Sequence, residues 1–320
     1  MGTKEKLLAL LQDSPQTYLS GQELAQKLGV SRAAVCKAAK ALRDQGYEIH
    51  AVTNKGYSLQ KNADILDVST VSRLLQDDFW KISYFPSVSS TNSLLKELAA
   101  RGAPEGTVIL ASSQSAGRGR MGRSFYSPEG TGLYLSLLLR PQDLSPSESL
   151  QITTMAASAL CVSIRELTGK EVQIKWVNDI FLGRKKICGI LTEASFSMET
   201  GLMDYAVLGL GLNLYAPAGG FPEELQDIAG PLCDTLEPEL KNRLIALFLN
   251  RFQDFYQGKK FQEAADYYRS HSMLTGKRVL VENQEAQVLD VNDRCQLIVR
   301  FRNGSERALS YGEVSIVNHI

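Results

Sequence analysis

Between residues 117 and 123 the chain reads Gly-Arg-Gly-Arg-Met-Gly-Arg, three glycines alternating with three arginines. Glycine lets a backbone approach a ligand closely and adopt conformations closed to other residues. Arginine supplies a planar cationic fork that fits phosphate or carboxylate. An apolar, strand-like run at residues 107–111 precedes the stretch, so it is expected as a mobile loop that closes over an anion. Gly117, Gly119 and Gly122 have the spacing of a dinucleotide fingerprint, but that motif must open a helix, and residues 125–132 are turn-rich. Taken alone, the stretch also reads as a solvated surface loop.

It has companions on both sides. Upstream stands Ser90-Thr91-Asn92, whose hydroxyls can cap the helix expected to end at Gly102 while its backbone N–H groups face a pocket. Downstream come Lys175-Trp176-Val177-Asn178-Asp179, then Lys185-Lys186-Ile187-Cys188-Gly189-Ile190-Leu191, then Gly209-Leu210-Gly211-Leu212-Asn213. Gly209 and Gly211 are expected to leave room for a ligand beside a strand, although either glycine alone is more often a packing or bulge feature.

In this order the set closely resembles biotin protein ligases. With the amino-terminal segment the resemblance covers nearly the whole chain, and it points to the type that is both ligase and biotin-operon repressor. The resemblance implies two half-reactions, formation of biotinyl-5′-AMP from biotin and ATP with Mg²⁺, then transfer of biotin to a lysine of a biotin carboxyl carrier domain of a carboxylase. It implies biotin contacts from Ser90, Thr91, Asn92, Gln114, Gly117, Arg118, Gly119, Arg120, Lys186, Gly189, Gly209 and Leu212. Adenylate contacts would come from Arg118, Arg120, Arg123, Phe125, Asn178 and Lys186. Arg118 and Arg120 would neutralise two anions that must meet, and Lys186 would lie between carboxylate and phosphate. Asp179 is either the group that orients or deprotonates the incoming lysine or a turn aspartate. Phe125 packs on a ligand or belongs to the core. The chain departs from the family pattern at Met121, Val177 and Phe125, where members often carry Arg, Pro and Trp; none of the three is a proposed catalytic group.

Composition bounds these expectations. Among 320 residues Lys+Arg and Asp+Glu are 35 each, so nucleic-acid binding has to come from local charge. Residues 1–60 hold eight Lys/Arg against five Asp/Glu. The five cysteines are scattered without a Cys-x-x-Cys pair, and there are three histidines, so no resident metal site and reduced, buried thiols are expected. No apolar run is long enough for a membrane span, and a cytoplasmic protein is expected.

The first sixty residues present Leu7, Leu8, Leu10 and Leu11 on one helical face, then a Ser20-x-x-Glu23 capping box opening a second helix that stops at Gly29. Ser31 can cap a third helix running to about Gln45, with Gly46 after it. Two short helices joined by a Gly-containing turn form a helix-turn-helix. Residues 53–56 turn a hairpin that reads as a wing. Ser31, Arg32, Lys37, Lys40 and Lys55 are the candidates for operator DNA. A protein-docking module is the other reading of such a unit.

The fold expected is α+β: a winged helix-turn-helix over 1–60, a linker over 61–72, a mixed α/β catalytic domain over 73–271, and a small SH3-like β-barrel over 272–320. Strands are expected at 81–85, 132–139, 171–176 and 204–213, with a hairpin at 181–196, and helices at 150–167, 240–256 and 261–270. Four short strands follow Gly276. Strands joined by hairpins argue against a doubly wound sheet. From the resemblance, biotinyl-AMP would order the central loops and favour a homodimer on a two-fold operator. A lipoate-type ligase and a biotin-sensing repressor without enzymatic activity are the alternatives. A ligand panel separates the first and pyrophosphate release the second.

Overall fold

The computed structural model describes the chain except residues 1, 15, 45–46, 61–63, 142–143, 146–147, 198, 200 and 318–320. Gln45, Gly46 and Lys61, given above as a helix end, the residue after it and the start of the linker, lie outside the described residues. Contacts divide the chain into two compact units, residues 1–73 with 235–243, and residues 74–234 with 244–320.

In the first unit α1 (Thr3–Gln12), α2 (Gly21–Leu28) and α3 (Arg32–Asp44) bury Leu7, Leu11, Leu24, Val35 and Leu42 around one core. Ser20 Oγ accepts the Glu23 N–H at 3.0 Å, the forward half of the capping box. The Glu23 carboxylate pairs with Lys27 at 2.8 Å, an i,i+4 pair on the same helix. Gly29, at φ 66°, ends α2 in the left-handed conformation, with Val30 N–H donating to Ala25 O and Gly29 N–H to Gln26 O.

The wing is the antiparallel hairpin β1 (Ile49–Val52) and β2 (Gly56–Leu59). Gly56 has φ 104°, and a Cβ there would lie 2.0 Å from the Leu19 carbonyl oxygen, so only glycine fits. Gly56→Ala is expected to destabilise this unit by roughly 2–4 kcal/mol. Thermal unfolding should show a lowered transition for this unit.

The connector is more structured than the sequence indicates, because Val68–Leu74 forms helix α4. Asp67 supplies its cap: Oδ2 accepts from Thr70 N at 2.9 Å and from Thr70 Oγ1 at 2.6 Å. Lys241 joins the same unit through a buried Nζ that donates to Asp64 O at 3.0 Å. Burial pushes its ammonium below the usual lysine range, and Asp64 partly offsets this.

The second unit is built on a seven-stranded sheet. Its elements in chain order are β3 (Lys81–Val88), α5 (Thr91–Ala100), β4 (Thr107–Gln114), β5 (Gly132–Leu139), α6 (Leu150–Thr168), β6 (Gln173–Lys175), β7 (Asp179–Leu182), β8 (Lys185–Phe196) and β9 (Met203–Asn213). The spatial order is β3-β4-β5-β9-β8-β7-β6, with β3–β4 parallel and the remaining pairs antiparallel. Helix α5 packs on β4, β5 and β9; α6 packs on β7, β8 and α8. Helices α7 (Leu240–Gln257) and α8 (Phe261–Ser270) follow.

The carboxyl-terminal strands are β10 (Arg278–Val281), β11 (Gln284–Val291), β12 (Leu297–Phe301), β13 (Glu306–Leu309) and β14 (Val314–Ile316). They form an antiparallel sheet in the order β13-β12-β11-β10-β14, within the second unit. Strand β14 escapes the sequence pattern because three residues carry no period; its pairing with β10 makes it a strand. Cys161, Cys188, Cys233 and Cys295 are buried, but Cys36 is exposed on α3, contrary to the expectation of buried thiols. The amphipathic face of α3 explains this, since Val35, Ala38, Ala39 and Leu42 point inward and position 36, about 100° round the helix from Val35, lies outside that face. Among the described residues no helix is long and apolar enough to cross a membrane.

Candidate active site

One cavity of the second unit collects residues from seven segments. Ser90, Thr91 and Asn92 lie at the start of α5, Gln114 at the end of β4, and Arg118, Gly119, Arg120, Arg123 and Phe125 on the glycine-arginine loop. Asn178, Asp179 and Lys186 approach from β7 and β8, with Gly189, Gly209 and Gly211 on the sheet and residues 312–315 of the carboxyl-terminal part beside them. Gly117 and Leu212 are not on its lining. Leu212 is wholly buried, one residue past Gly211 and so on the opposite face of β9. Gly117 lies beneath the loop, where a Cβ would meet Phe125 O at 2.4 Å and Ser127 Oγ at 2.7 Å.

The loop is a folded turn. Gly119 N–H donates to Arg123 O at 2.7 Å, Phe125 N–H to Gly117 O at 2.9 Å, and Arg118 bridges Ser124. Met121 takes φ 55° at its tip, a left-handed conformation, with the side chain exposed. The three arginines point to different partners. Arg118 pairs with Glu193 at 3.5 Å. Arg120 donates to Asn178 Oδ1 at 3.1 Å and to Gly312 O at 3.4 Å. Arg123 is paired with Glu313 at 2.7 Å.

At the α5 end the polar groups are largely saturated by one another. Thr91 N–H and Oγ1 donate to Gln114 Oε1 at 2.9 and 3.2 Å, and Gln114 Nε2 donates to Ser127 Oγ at 2.9 Å. Asn92 Nδ2 donates to Leu191 O at 3.2 Å and Glu193 Oε2 at 3.0 Å, while its Oδ1 lies 2.6 Å from Ser136 Oγ. Both amide hydrogens of Asn92 are therefore used, and only a carbonyl lone pair remains for a ligand. Ser90 Oγ accepts the Ser93 N–H, which leaves its own proton without an acceptor among the described residues.

The glycines of β9 line the cavity and also make room for two side chains. A Cβ at Gly209 would stand 2.1 Å from Asn92 Oδ1, and one at Gly211 would stand 2.5 Å from the Phe125 ring. The space beside these glycines is occupied by Asn92 and Phe125, so the strand admits side chains that in turn shape the cavity.

Opposite the arginines, Lys186 Nζ lies 2.7 Å from Asp179 Oδ1, both side chains about a quarter exposed. The contact is an ion pair outside hydrogen-bond geometry, because Asp179 Oδ1 has no hydrogen-bond partner. Asn178 is held from both ends, its Nδ2 donating to Ile190 O at 2.8 Å and its Oδ1 accepting from Arg120. Trp176 Nε1 donates to Cys295 O at 2.9 Å and Tyr268 OH to Val177 O at 3.0 Å, so the segment is anchored to the carboxyl-terminal sheet and to α8.

Three residues that the motifs do not announce complete the site. Ser136 joins Thr91 to Asn92, Glu193 binds Asn92, and Lys96 pairs with Glu193 at 2.9 Å. A sequence signal exists for two of them, a hydroxyl inside the apolar run 133–139 and a carboxylate inside the strand Lys185–Phe196. Burial raises the Glu193 carboxyl, but Lys96, Asn92 and Arg118 outweigh it and hold the group below the usual glutamate range.

In the first unit Ser31, Arg32, Lys37 and Lys40 are exposed on or just before α3, and Lys55 is exposed at the wing turn. Ser31 Oγ accepts the Ala34 N–H at 3.2 Å and so caps α3.

Residues 84–213 match the Biotin/lipoate A/B protein ligase family, and residues 3–58 match an HTH domain family. The bifunctional ligase/repressor BirA of Bacillus subtilis is 33% identical over 318 residues, which span 96% of this chain and 97% of that protein. The Escherichia coli bifunctional ligase/repressor BirA is 34% identical over 209 residues, 65% of this chain and 63% of that one. In fold, the chain is similar to the biotin protein ligase from Aquifex aeolicus in complex with biotin and ATP, at a TM-score of 0.61 and 24% identity, over 75% of this chain and 99% of that chain. The full-length similarity and the two matched families together show that the chain belongs to the biotin protein ligases, in their bifunctional ligase/repressor form.

Proposed function

We propose that the cavity activates biotin with ATP and passes it to a lysine of a biotin carboxyl carrier domain of a carboxylase. The observation that carries this reading is the convergence of Arg118, Arg120 and Lys186 on one cavity whose far end is neutral and polar. A carboxylate oxygen of biotin attacks the α-phosphorus of ATP, the bond to the β-phosphate oxygen breaks, and pyrophosphate leaves with the electron pair. Two anions repel as they approach, and three cations in a partly dehydrated cleft remove that barrier. Lys186 would turn from Asp179 toward the reacting oxygens, and Arg120, already fixed to Asn178, would meet the phosphate. The acceptor amine then attacks the mixed anhydride carbonyl, loses its proton and expels AMP. Asp179, with Oδ1 free of hydrogen bonds, suits orientation or deprotonation of that amine.

The unsatisfied Ser90 hydroxyl proton and the remaining Gln114 amide hydrogen suit a neutral ring carbonyl such as that of biotin's ureido group. The carboxylates on the cavity lining, Asp179 and Glu313, are each ion-paired, so Mg²⁺ would enter as part of the Mg–ATP substrate, held by phosphates. The carboxyl-terminal sheet fits the family's SH3-like barrel, and residues 312–315 beside Arg120 would close the nucleotide end. In the first unit the capped, basic α3 would enter the major groove of the operator and Lys55 of the wing a backbone phosphate. A two-fold operator asks for a homodimer stabilised by biotinyl-AMP, in the cytoplasm where DNA and acceptor meet.

The direct test incubates the protein with biotin, ATP and Mg²⁺ and follows pyrophosphate and biotinyl-AMP. Release with biotin and not with lipoate supports the reading; release with lipoate only, or biotin binding without release, overturns it. Arg32→Ala is expected to weaken operator binding at least tenfold and leave pyrophosphate release unchanged, read by DNA titration at fixed salt. Sedimentation with biotinyl-AMP and operator decides the dimer.

A further inference from the structure

Glu193 stands behind two residues of the cavity lining, Asn92 and Arg118, one negative charge beside two cations. Its Oε1 is 2.9 Å from Lys96 Nζ and 3.5 Å from the Arg118 guanidinium, and its Oε2 accepts from Asn92. The two cations are not held alike. Lys96 makes a hydrogen-bonded ion pair, whereas Arg118 has charge attraction alone and no other side-chain polar partner among the described residues. The carboxylate is 20% exposed and the Arg118 side chain 48% exposed. Lys96 and Asn92 already satisfy Glu193. Arg118 can therefore leave without abandoning a buried charge.

We infer that Glu193 parks Arg118 in the ligand-free site, and that Lys96, by keeping Glu193 compensated, is the positioning residue that lets Arg118 move to the ligand's anionic centre. The inference rests on the assignment of Arg118 to that centre. Without Lys96 the cation left for Glu193 among the described residues is Arg118. A half-sheltered carboxylate then draws the guanidinium into a direct, two-hydrogen-bond pair. The incoming carboxylate must break that pair before it can use the arginine, and apparent affinity falls while the chemical step, once Arg118 is in place, does not. Lys96 thus acts on the reaction without touching a substrate.

The test is a cycle of Lys96→Met, Glu193→Gln and the double variant, assayed by biotin-dependent pyrophosphate release. Lys96→Met is expected to raise KM for biotin about tenfold with kcat within about twofold, the loss of one charge-assisted contact. Lys96→Arg should restore KM. In the Glu193→Gln background, where no carboxylate can trap Arg118, Lys96→Met should have no further effect. An additive double variant, or a Lys96→Met enzyme with unchanged KM, overturns the inference. So does a Glu193→Gln enzyme weakened as much as Lys96→Met, since the pair would then serve Asn92 alone. Thermal unfolding of each variant separates misfolding from these outcomes, and the Lys96→Arg rescue is a second check. If Arg118→Ala leaves pyrophosphate release unchanged, the assignment of Arg118 itself fails. If Arg118→Ala cripples release while the cycle shows no coupling, only the parking fails.

Discussion

Lys186→Met should lower biotin-dependent pyrophosphate release by about 10²–10³-fold, the usual cost of removing one preorganised group that meets developing charge. Methionine preserves the unbranched stem, which lies 3.4 Å from where a Gly189 Cβ would be, so packing changes little. The substitution also strands Asp179. That carboxylate is 23% exposed but its Oδ1 is buried without a hydrogen-bond partner, so the stability lost is roughly 1–3 kcal/mol and the melting temperature falls modestly. A large rate loss in a variant that is still folded at the assay temperature is the signature of chemistry. Transfer from preformed biotinyl-AMP to the acceptor should suffer far less, because the anion-on-anion approach is already past. A release rate within threefold of the parent would remove Lys186 from the catalytic set, and a large loss in transfer as well would place it in acceptor binding.

The second large effect concerns a methyl group. In Gly209→Ala the new Cβ would stand 2.1 Å from Asn92 Oδ1 and 2.7 Å from its Cγ. Asn92 is 4% exposed and held by Leu191 O, Glu193 and Ser136, so it cannot yield without losing all three. Destabilisation of roughly 2–4 kcal/mol follows from the overlap and the broken hydrogen bonds. Biotin affinity should fall roughly 10²-fold, since the displaced amide disturbs every group that shapes the polar end. The Asn92→Ala/Gly209→Ala pair separates the two consequences. The smaller residue makes room for the methyl, so calorimetry should show most of the melting temperature restored, while biotin binding stays weak. A single variant of normal stability would mean that Asn92 has another resting place.

The two arguments rest on different kinds of information. Lys186 and the arginines are legible from the chain because their chemistry is local: fixed positive charge beside glycine, in segments whose strand and turn pattern can be read directly. The same is true of Ser31 before α3, Gly29 after α2 and the turn at 53–56, where capping and φ > 0 are decided by neighbours in sequence. Strand and helix spans from residue 132 to 309 follow for the same reason, since periods of two and 3.6 need only a window of adjacent residues.

What lay beyond the chain's own pattern involves partners distant in sequence. Helix α4 was hidden in a connector until Asp67 was seen to cap it, and β14 is a strand because β10 lies alongside. Gly209 and Gly211 line the cavity, and the side chains they also make room for, Asn92 and Phe125, come from about 85 to 120 residues away. Glu193 and Lys96 belong to no motif, and only the meeting of β8 with α5 joins their charges. Sequence by itself determined which groups carry charge, which segments fold as strands or helices, and to which family the chain belongs. Tertiary structure alone decided which charges are already paired and which polar atoms remain free. Coulombic attraction and steric exclusion act through space over a few ångströms, and chain order does not encode those distances.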